Sequence, residues 1–276
     1  QPDAGSAATN EEAVEIASRI GYPVLVRPSY VLGGRAMMVV HDETELRDYV
    51  RDAVRVTKDK PLLVDRFLHR AIEVDVDAVC DGDDVLIGAI MEHVEEAGVH
   101  SGDSTTVIPP QNLPPAAIAT IEQHTKDIAL ALGTRGLINI QYAVQGEEVF
   151  IIEANPRSSR TVPYVAKATG IPMAKIAAKV TLGRKLKDLG YETPRIPHVA
   201  VKAPVFPFLK LPGVDPVLGP EMRSTGEVMG IDTTFEAAFA KAELGAGIAL
   251  PRKGGVFISL KEGDKAAMVE PVRVLK

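Results

Sequence analysis

Four oxygen-bearing side chains alternate along two stretches that have the composition of strands. Asn139 and Gln141 alternate within the apolar run 137–142, and Glu153 and Asn155 alternate at the end of the next run. Because successive side chains of a strand point to opposite faces, all four would share one face of a paired hairpin. Mg²⁺ is usually held by one or two carboxylates together with substrate phosphates. The pattern predicts a divalent metal site, and the alternative is a solvated face of an edge hairpin.

The predicted metal site also predicts the register of this hairpin. The simplest pairing places Gln141 opposite Glu153 and Asn139 opposite Asn155. It needs an odd number of loop residues, such as 146–148. A two-residue turn at 146–147 would place Ile152 opposite Gln141 and would contradict a shared metal.

Two segments of the chain combine arginines with residues that could bind anions. Arg157 and Arg160 follow Asn155 directly, which favours the metal interpretation over the solvated face. Further upstream, Gly33 and Gly34 lie between two predicted strands and are flanked by arginines, Arg27 among them. Glycines let backbone N–H groups approach an anion, and arginines supply the charge. This segment therefore predicts a phosphate-binding loop; a flexible hairpin loop with solvated arginines is the alternative.

The composition narrows the class of protein. The 276 residues are 46% apolar and carry a formal net charge of −6, which argues against a nucleic-acid partner. Apolar stretches such as 85–91 are far too short to cross a membrane, so we expect no membrane partner and a cytoplasmic location. One cysteine, Cys80, excludes an internal disulfide. The phosphate loop, dinucleotide, metalloprotease and serine-hydrolase motifs are absent from the sequence.

Apolar periodicity and turn residues place these groups on alternating helices and antiparallel strands. The spacing predicts helices over 10–20, 42–56, 114–132, 172–182 and 235–244. Strands are predicted over 24–27, 36–40, 62–65, 73–80, 85–91, 137–144, 149–152 and 256–260, and 191–230 is predicted to be an extended connection with short strands. The order of these elements predicts an α+β fold.

The chain resembles a known family at these motifs. Glu153-Ala-Asn-Pro-Arg157, Gln141 and the Gly33-Gly34 loop resemble the ATP-grasp carboxylate-amine ligases. More specifically, nearly the whole chain is similar to large subunits of carbamoyl-phosphate synthetase, at the segments 27–37, 73–77, 98–104, 155–163 and 219–230. The spellings at 30–35, 100–103 and 160–163 resemble the C-terminal half, which phosphorylates carbamate. The resemblance implies an ATP-grasp fold.

The resemblance also implies a role for each matching residue. Arg27 and the Gly33-Gly34 backbone would hold ATP phosphates, with the glycine loop as a lid that excludes water. Other residues would line the nucleotide cleft: Arg66 and Leu68 beside the adenine, Glu73 at the ribose, then Gly98, Val99, His100 and Ser101. Gln141, Glu153 and Asn155 would hold two Mg²⁺ or Mn²⁺ ions, with K⁺ as a further candidate ion. Arg157, Arg160 and Asn139 would form the catalytic set: the arginines would orient carbamate and stabilise the transferring phosphoryl group, and Asn139 would support the metals.

A domain plan follows from the same resemblance. We expect an ATP-grasp domain over 1–190, divided into a nucleotide-covering part at 22–100 and a metal- and acceptor-binding part at 101–190. An extended closing segment would follow over 191–245, and an incomplete regulatory domain would begin at 246–276. The chain would then be a fragment, inactive or weakly active alone. Its partners would be the remainder of the large subunit, a glutamine-hydrolysing small subunit, and the substrates ATP and carbamate.

Three alternatives remain open at this point. The chain could be the bicarbonate-phosphorylating half of the same enzyme or another ATP-grasp carboxylate-amine ligase. It could also be a nucleotide-binding module without catalysis. Loss of Gln141 or Glu153 would have favoured the module, and both residues are present.

Overall fold

A computed structural model describes residues 1–29, 36–56, 61–210, 213–249 and 253–275. The predicted phosphate-binding glycines, Gly33 and Gly34, lie outside the described residues. Within the described ranges, no helix is long and apolar enough to cross a membrane.

The first part of the chain forms a four-stranded antiparallel sheet covered by two helices. The strands are β1 Ala4–Ala7, β2 Val24–Pro28, β3 Met38–Val40 and β4 Leu62–Arg66, in the order β1-β4-β2-β3. The helices are α1 Asn10–Ile20 and α2 Glu43–Val56. Thr9 and Glu12 form a capping box at the start of α1, and Gly21 ends it with φ 90°. The predicted helices and the paired strands β2 and β3 are therefore confirmed.

The second part forms a seven-stranded antiparallel sheet, in the order β11-β10-β7-β6-β5-β8-β9. Its strands are β5 Ile72–Cys80, β6 Val85–Glu96, β7 Thr106–Ile108, β8 Gly136–Gln145, β9 Glu148–Asn155, β10 Val199–Val205 and β11 Gly226–Asp232. Between and after them come α3 Pro115–Ala131, α4 Val162–Thr169, α5 Met173–Thr181, α6 Phe235–Gly245 and α7 Val269–Leu275, with 3₁₀ turns at Leu186–Asp188, Phe208–Lys210 and Glu262–Asp264.

Alternation along the central strands buries both faces of this sheet. On β5, Val74 and Val76 pack with Ile121 of α3 on one face. On the opposite face, Val79 packs with helices α4 and α5 through residues such as Val165. Glu73, Asp75 and Asp77 of β5 lie on this same second face, because they alternate with Val74 and Val76.

Several elements differ from the sequence predictions. The short strands β1 and β7 and the helix α4 were not predicted; β1 is only Ala-Gly-Ser-Ala and is a strand because it pairs with β4. The strand predicted at 256–260 is wrong. Among the described residues that segment has no ladder partner, and Phe257 is 92% exposed. An apolar run becomes a buried strand only where a neighbouring strand accepts its hydrogen bonds.

The chain passes from the small sheet to the large sheet between Arg66, which ends β4, and Ile72, which begins β5. Strands β5 and β6 fall within the expected nucleotide-covering part, 22–100, yet they are hydrogen-bonded into the large sheet. The expected part 22–100 therefore extends across both sheets.

Candidate active site

The hairpin of β8 and β9 brings the predicted metal-binding residues together. Gln141 lies opposite Glu153, and Asn139 lies opposite Asn155. The loop, however, is the two-residue turn Gly146-Glu147, in which Gly146 has φ 63°. The prediction of an odd-numbered loop is wrong, and the predicted pairing is nevertheless present because the register shifts after Gln141. The extra residue is Ile152, the bulge that returns Glu153 to Gln141.

The donor set of this hairpin suits a hard cation. Glu153 is exposed, and its Oε1 accepts a hydrogen bond of 2.7 Å from Asn155 Nδ2. Gln141 is half-buried beside it. Across the described ranges, no group of three or more His, Cys, Asp or Glu side chains is arranged to hold a metal. One carboxylate with amide oxygens leaves positions for phosphate oxygens and water, as Mg²⁺ requires.

Strand β5, the neighbour of β8 in the sheet, contributes two buried carboxylates. Asp75 lies opposite Gln141, and Asp77 lies opposite Asn139. Asn139 Nδ2 donates to Asp75 Oδ1 at 3.2 Å and to Asp77 Oδ1 at 3.0 Å. Asn139, predicted to support the metals, therefore has its amide directed at these two carboxylates.

Asp75 forms a buried ion pair with His93 of β6, with 2.9 Å between Oδ2 and Nε2. Burial opposes ionisation of Asp75, but hydrogen bonding to His93, the charge of His93 and the amides of Asn139 and Gln141 lower the pKa of Asp75 overall. Burial likewise lowers the pKa of His93, and the Asp75 carboxylate outweighs it and raises the pKa. Hydrogen bonding and opposite charge therefore favour the ionised form of both groups.

The buried Asp77 has a different environment. Its Oδ1 accepts from Ser159 Oγ at 2.7 Å, and its Oδ2 accepts from Thr161 Oγ1 at 2.6 Å. Burial raises the pKa of Asp77 to about 6, against the opposing effect of its hydrogen bonds. Both hydroxyls belong to the segment that carries the predicted acceptor-binding arginines.

Both of those arginines are exposed. Arg157 is exposed, and its Nη1 donates to Ser158 O at 3.1 Å. Arg160 is also exposed, and its Nη1 contacts Met222 Sδ in the extended segment after β10. Arg160 and Met222 line a cleft together with Gly102, Ser224 and Glu227. The two guanidinium groups are therefore available to an anion at the end of β9.

The residues predicted to line a nucleotide cleft fall into two groups. Glu73 Oε2 accepts from Gly98 N at 3.4 Å, and burial is the largest of the effects that raise the pKa of Glu73. His100 N donates to Gly219 O at 2.8 Å, which joins the 98–104 loop to the extended segment. Ser101 O accepts from Lys202 Nζ at 3.1 Å. Val99 lies half-buried within this loop.

The second group lies at or near the small sheet. Arg27 Nε donates to Asp65 Oδ2 at 3.1 Å across β2 and β4. Arg66 ends β4, where its backbone N donates to Asp3 O at 2.8 Å. Leu68 is buried in a cluster with Ala71 and Ala143, which belongs to β8 of the large sheet. Leu68 therefore links the small sheet to the strand that carries Gln141.

Four charged or polar residues of the site were not predicted to take part: Asp75, Asp77, His93 and Lys202. Alternation of Glu73, Asp75 and Asp77 along an apolar strand could have indicated the first two, because acidic residues on a buried face need partners. Lys202 lies within an apolar strand and is 1% exposed. Burial lowers its pKa, against the opposing effect of nearby carboxylates such as Glu227.

These polar residues form one row across the large sheet. Lys202 pairs with Thr106, and Thr106 pairs with His93. His93 contacts Asp75, and Asp75 pairs with Gln141, which in turn pairs with Glu153. The metal-binding candidates Gln141 and Glu153 therefore lie at one end of this largely buried polar row.

Comparison with solved structures supports the architecture. The chain is similar to biotin carboxylase from Campylobacter jejuni, with a TM-score of 0.63 and 19% identity over 73% of this chain and 46% of that one. It is also similar to N5-carboxyaminoimidazole ribonucleotide synthetase from Thermus thermophilus, with a TM-score of 0.68 and 18% identity over 88% of this chain and 67% of that one. At such identities the likeness concerns the fold alone, which is the ATP-grasp fold.

Sequence comparison is more specific. The chain is 63% identical over 266 residues to the carbamoyl phosphate synthase large chain of Archaeoglobus fulgidus, covering 96% of this chain and 25% of that protein. It is 59% identical over 277 residues to a large chain from Methanosarcina barkeri, of which it covers 70%. Against relatives such as the first, it spans about a quarter of their length. Residues 2–189 match the family model, and the chain belongs to the family of carbamoyl-phosphate synthase L chains, in their ATP binding domain.

Proposed function

We propose that this chain is the ATP-grasp half of a carbamoyl phosphate synthase large chain that phosphorylates carbamate. The supporting observation is the end of the hairpin of β8 and β9. Here Gln141 and Glu153 share a face, and the strand runs on directly into the segment that presents Arg157 and Arg160. A cation site next to two exposed guanidinium groups suits the transfer of a phosphoryl group to a small anion.

The reaction needs little covalent chemistry from the protein. An ionised oxygen of carbamate attacks the γ-phosphorus of ATP, the bond to the β–γ bridging oxygen breaks, and ADP leaves with that electron pair. Carbamate is already an anion, so no base is required. Arg157 and Arg160 would orient it and spread the charge of the transferring group.

Gln141, Glu153 and Asn155 would hold Mg²⁺ or Mn²⁺, two ions in all, with K⁺ as a further candidate ion. Bound there, the divalent ions would neutralise the β- and γ-phosphate oxygens. Arg27, with the Gly33-Gly34 loop, would hold phosphates, while Glu73 and the 98–101 segment would face the nucleoside. The buried row on the neighbouring strands would keep the hairpin rigid.

The choice of carbamate over bicarbonate as the acceptor rests on two short sequence motifs. His100-Ser101-Gly-Asp103 and Arg160-Thr-Val-Pro163 favour the carbamate half. In the whole enzyme we propose, the remainder of the large chain and a glutamine-hydrolysing small subunit would supply carbamate. The segment 246–276 would begin its regulatory domain.

The test uses a large chain that contains this sequence. Two activities are assayed: ATP formation from ADP and carbamoyl phosphate, and bicarbonate-dependent ATP hydrolysis. We expect ATP formation from ADP and carbamoyl phosphate, and we expect Glu153→Ala to abolish it. If Glu153→Ala abolished bicarbonate-dependent ATP hydrolysis and left ATP formation from carbamoyl phosphate intact, the chain would instead be the bicarbonate half. Magnesium-dependent ATP binding without either reaction would identify a nucleotide-binding module.

A further inference from the structure

Asp77 is a buried carboxylate for which the phosphoryl transfer itself has no use. It is 1% exposed on β5, and it is 82 and 84 residues away from its hydroxyl partners Ser159 and Thr161. Together with Asn139, these residues supply three donors to its two oxygens at 2.6 to 3.0 Å. A buried carboxylate is costly unless it is hydrogen-bonded in this way.

The two hydroxyls flank one of the predicted acceptor-binding arginines. Ser159 precedes Arg160 and Thr161 follows it, and Ser159 Oγ also lies 2.9 Å from Thr161 Oγ1. The backbone of Arg160 is therefore held on both sides through one carboxylate. Arg157 lies two residues before Ser159 on the same loop.

The Thr161 side chain serves the loop and not the helix that follows it. Thr161 occupies the N-cap position of α4 with φ −78° and ψ −16°, and its side chain makes no capping hydrogen bond. Its hydroxyl donates to Asp77 Oδ2 at 2.6 Å, which anchors the loop to β5.

We propose that Asp77 is a positioning residue of the acceptor site, whose carboxylate fixes the loop 156–161 and thereby aims Arg157 and Arg160 at the anion that receives the phosphoryl group. The inference rests on the proposed function. Its specific content is that Asp77 acts on the acceptor and not on the nucleotide, because its contacts reach the arginine loop and not the 98–101 segment.

The kinetic test uses Asp77→Ala in a large chain that contains this sequence, assayed for ATP formation from ADP and carbamoyl phosphate. Misplacing a catalytic group by about 1 Å costs about 100-fold in rate. We therefore expect kcat to fall by about that factor and KM for carbamoyl phosphate to rise, with KM for ADP within about twofold of the wild type. Equal increases in both KM values would overturn the proposal.

Two further variants keep the test sound if Asp77→Ala folds poorly. Ser159→Ala combined with Thr161→Val removes both donors and should reproduce the same split between the two KM values. In a background that carries both Arg157→Ala and Arg160→Ala, the loss of Asp77 should add little, since residues that act through one another are not additive. Full additivity of the two changes would overturn the proposal.

Asp81 provides the matched control. It is also a nearly buried aspartate just after β5, but its carboxylate accepts from the backbone N–H groups of Asp83, Asp84 and Leu186. Asp81→Asn should lower stability and leave both KM values unchanged. A rise in KM for carbamoyl phosphate in this variant would overturn the specific role of Asp77.

Hydrogen exchange of the 276-residue chain separates this inference from the proposed function. Asp77→Ala should speed amide exchange in 156–161 without changing 98–101. Unchanged exchange in 156–161 would overturn the positioning role even in an active enzyme. If the wild type formed no ATP from carbamoyl phosphate, the proposed function would fail while the exchange result still stood.

Discussion

Gln141 lies directly opposite Glu153 because Ile152 forms a bulge in β9. The two-residue turn would otherwise pair Gln141 with Ile152 and turn the Glu153 carboxylate to the other face of the sheet. The bulge therefore decides whether the hairpin can present a carboxylate and an amide to the same cation. Bulges next to active sites commonly redirect a side chain in this way.

Changes in length at Ile152 should affect metal binding according to strand periodicity. Deleting Ile152 leaves Glu153 opposite Gln141, so we expect magnesium-dependent ATP binding to persist. Deleting both Ile151 and Ile152 pairs Glu153 with Tyr142 and moves it to the other face, and we expect that binding to be lost. Calorimetry with and without Mg²⁺ measures both. Retained binding after the double deletion would contradict a metal site on this hairpin.

Glu153→Ala should remove carbamate phosphorylation and leave the fold intact. A lost metal ligand costs several kcal/mol of transition-state stabilisation, so we expect activity to fall by at least about 100-fold. The exposed side chain contributes little to folding, and thermal unfolding should not change. Glu148→Ala, at the other end of β9, is the control and should remain active. Near wild-type activity in Glu153→Ala would reduce Glu153 to a surface carboxylate.

Arg27→Lys should weaken ATP binding by about tenfold, because an ammonium group cannot reproduce a planar guanidinium that contacts Asp65 and, in the proposed role, also binds a phosphate. The matched control is Arg47→Lys, in which an exposed arginine of α2 contacts Glu43. Nucleotide titration of both variants is the measurement. If the two substitutions weakened binding equally, Arg27 would have no special role at the phosphates.

Asp77 should make stability depend on pH near neutrality. Its pKa is about 6 in the folded chain, against 3.8 for an ordinary aspartate, so the folded state binds more protons in this interval. The contribution of Asp77 to stability is therefore full below pH 3.8 and lost as pH rises through about 6. We expect the free energy of unfolding to fall by roughly 1–2 kcal/mol more in the wild type than in Asp77→Asn between about pH 5 and about pH 7.5.

Urea unfolding of the two proteins at both pH values measures this difference. Asp81→Asn is the control, because backbone hydrogen bonds outweigh burial at Asp81 and lower its pKa, so its titration lies below this interval. A steeper fall in Asp77→Asn than in the wild type would contradict the assigned direction.

The segment after Gly245 should exchange its amide hydrogens rapidly and be the first site of proteolysis. Val256 and Phe257 are exposed, and 256–260 has no ladder partner. Ordering a backbone costs about 1–2 kcal/mol of conformational free energy per residue. Apolar side chains that stay exposed do not offset this cost. Hydrogen exchange should show Ile140 and Ile151 protected and Phe257 unprotected. Equal protection would mean that 256–260 has found a strand partner.

The sequence alone determined the local elements of this protein. Helix α1 could be delimited because Thr9 and Gly21 act through neighbouring backbone groups. Alternation placed Asn139 and Gln141 on one face because strand periodicity is a local property. The matching motifs indicated the family for the same reason, since each is a short run of residues at fixed spacing.

Only the tertiary structure decided which of these elements meet. The two-residue turn at Gly146 would by itself pair Gln141 with Ile152, and the bulge at Ile152 restores the predicted pairing with Glu153, because a ladder can absorb an extra residue far from its turn. Asp75 and Asp77 joined the site because β5 lies between β6 and β8, 62 to 64 residues from Asn139 along the chain. The hydrogen bond from the Thr161 hydroxyl to Asp77 depends on that same neighbourhood, which no local pattern contains.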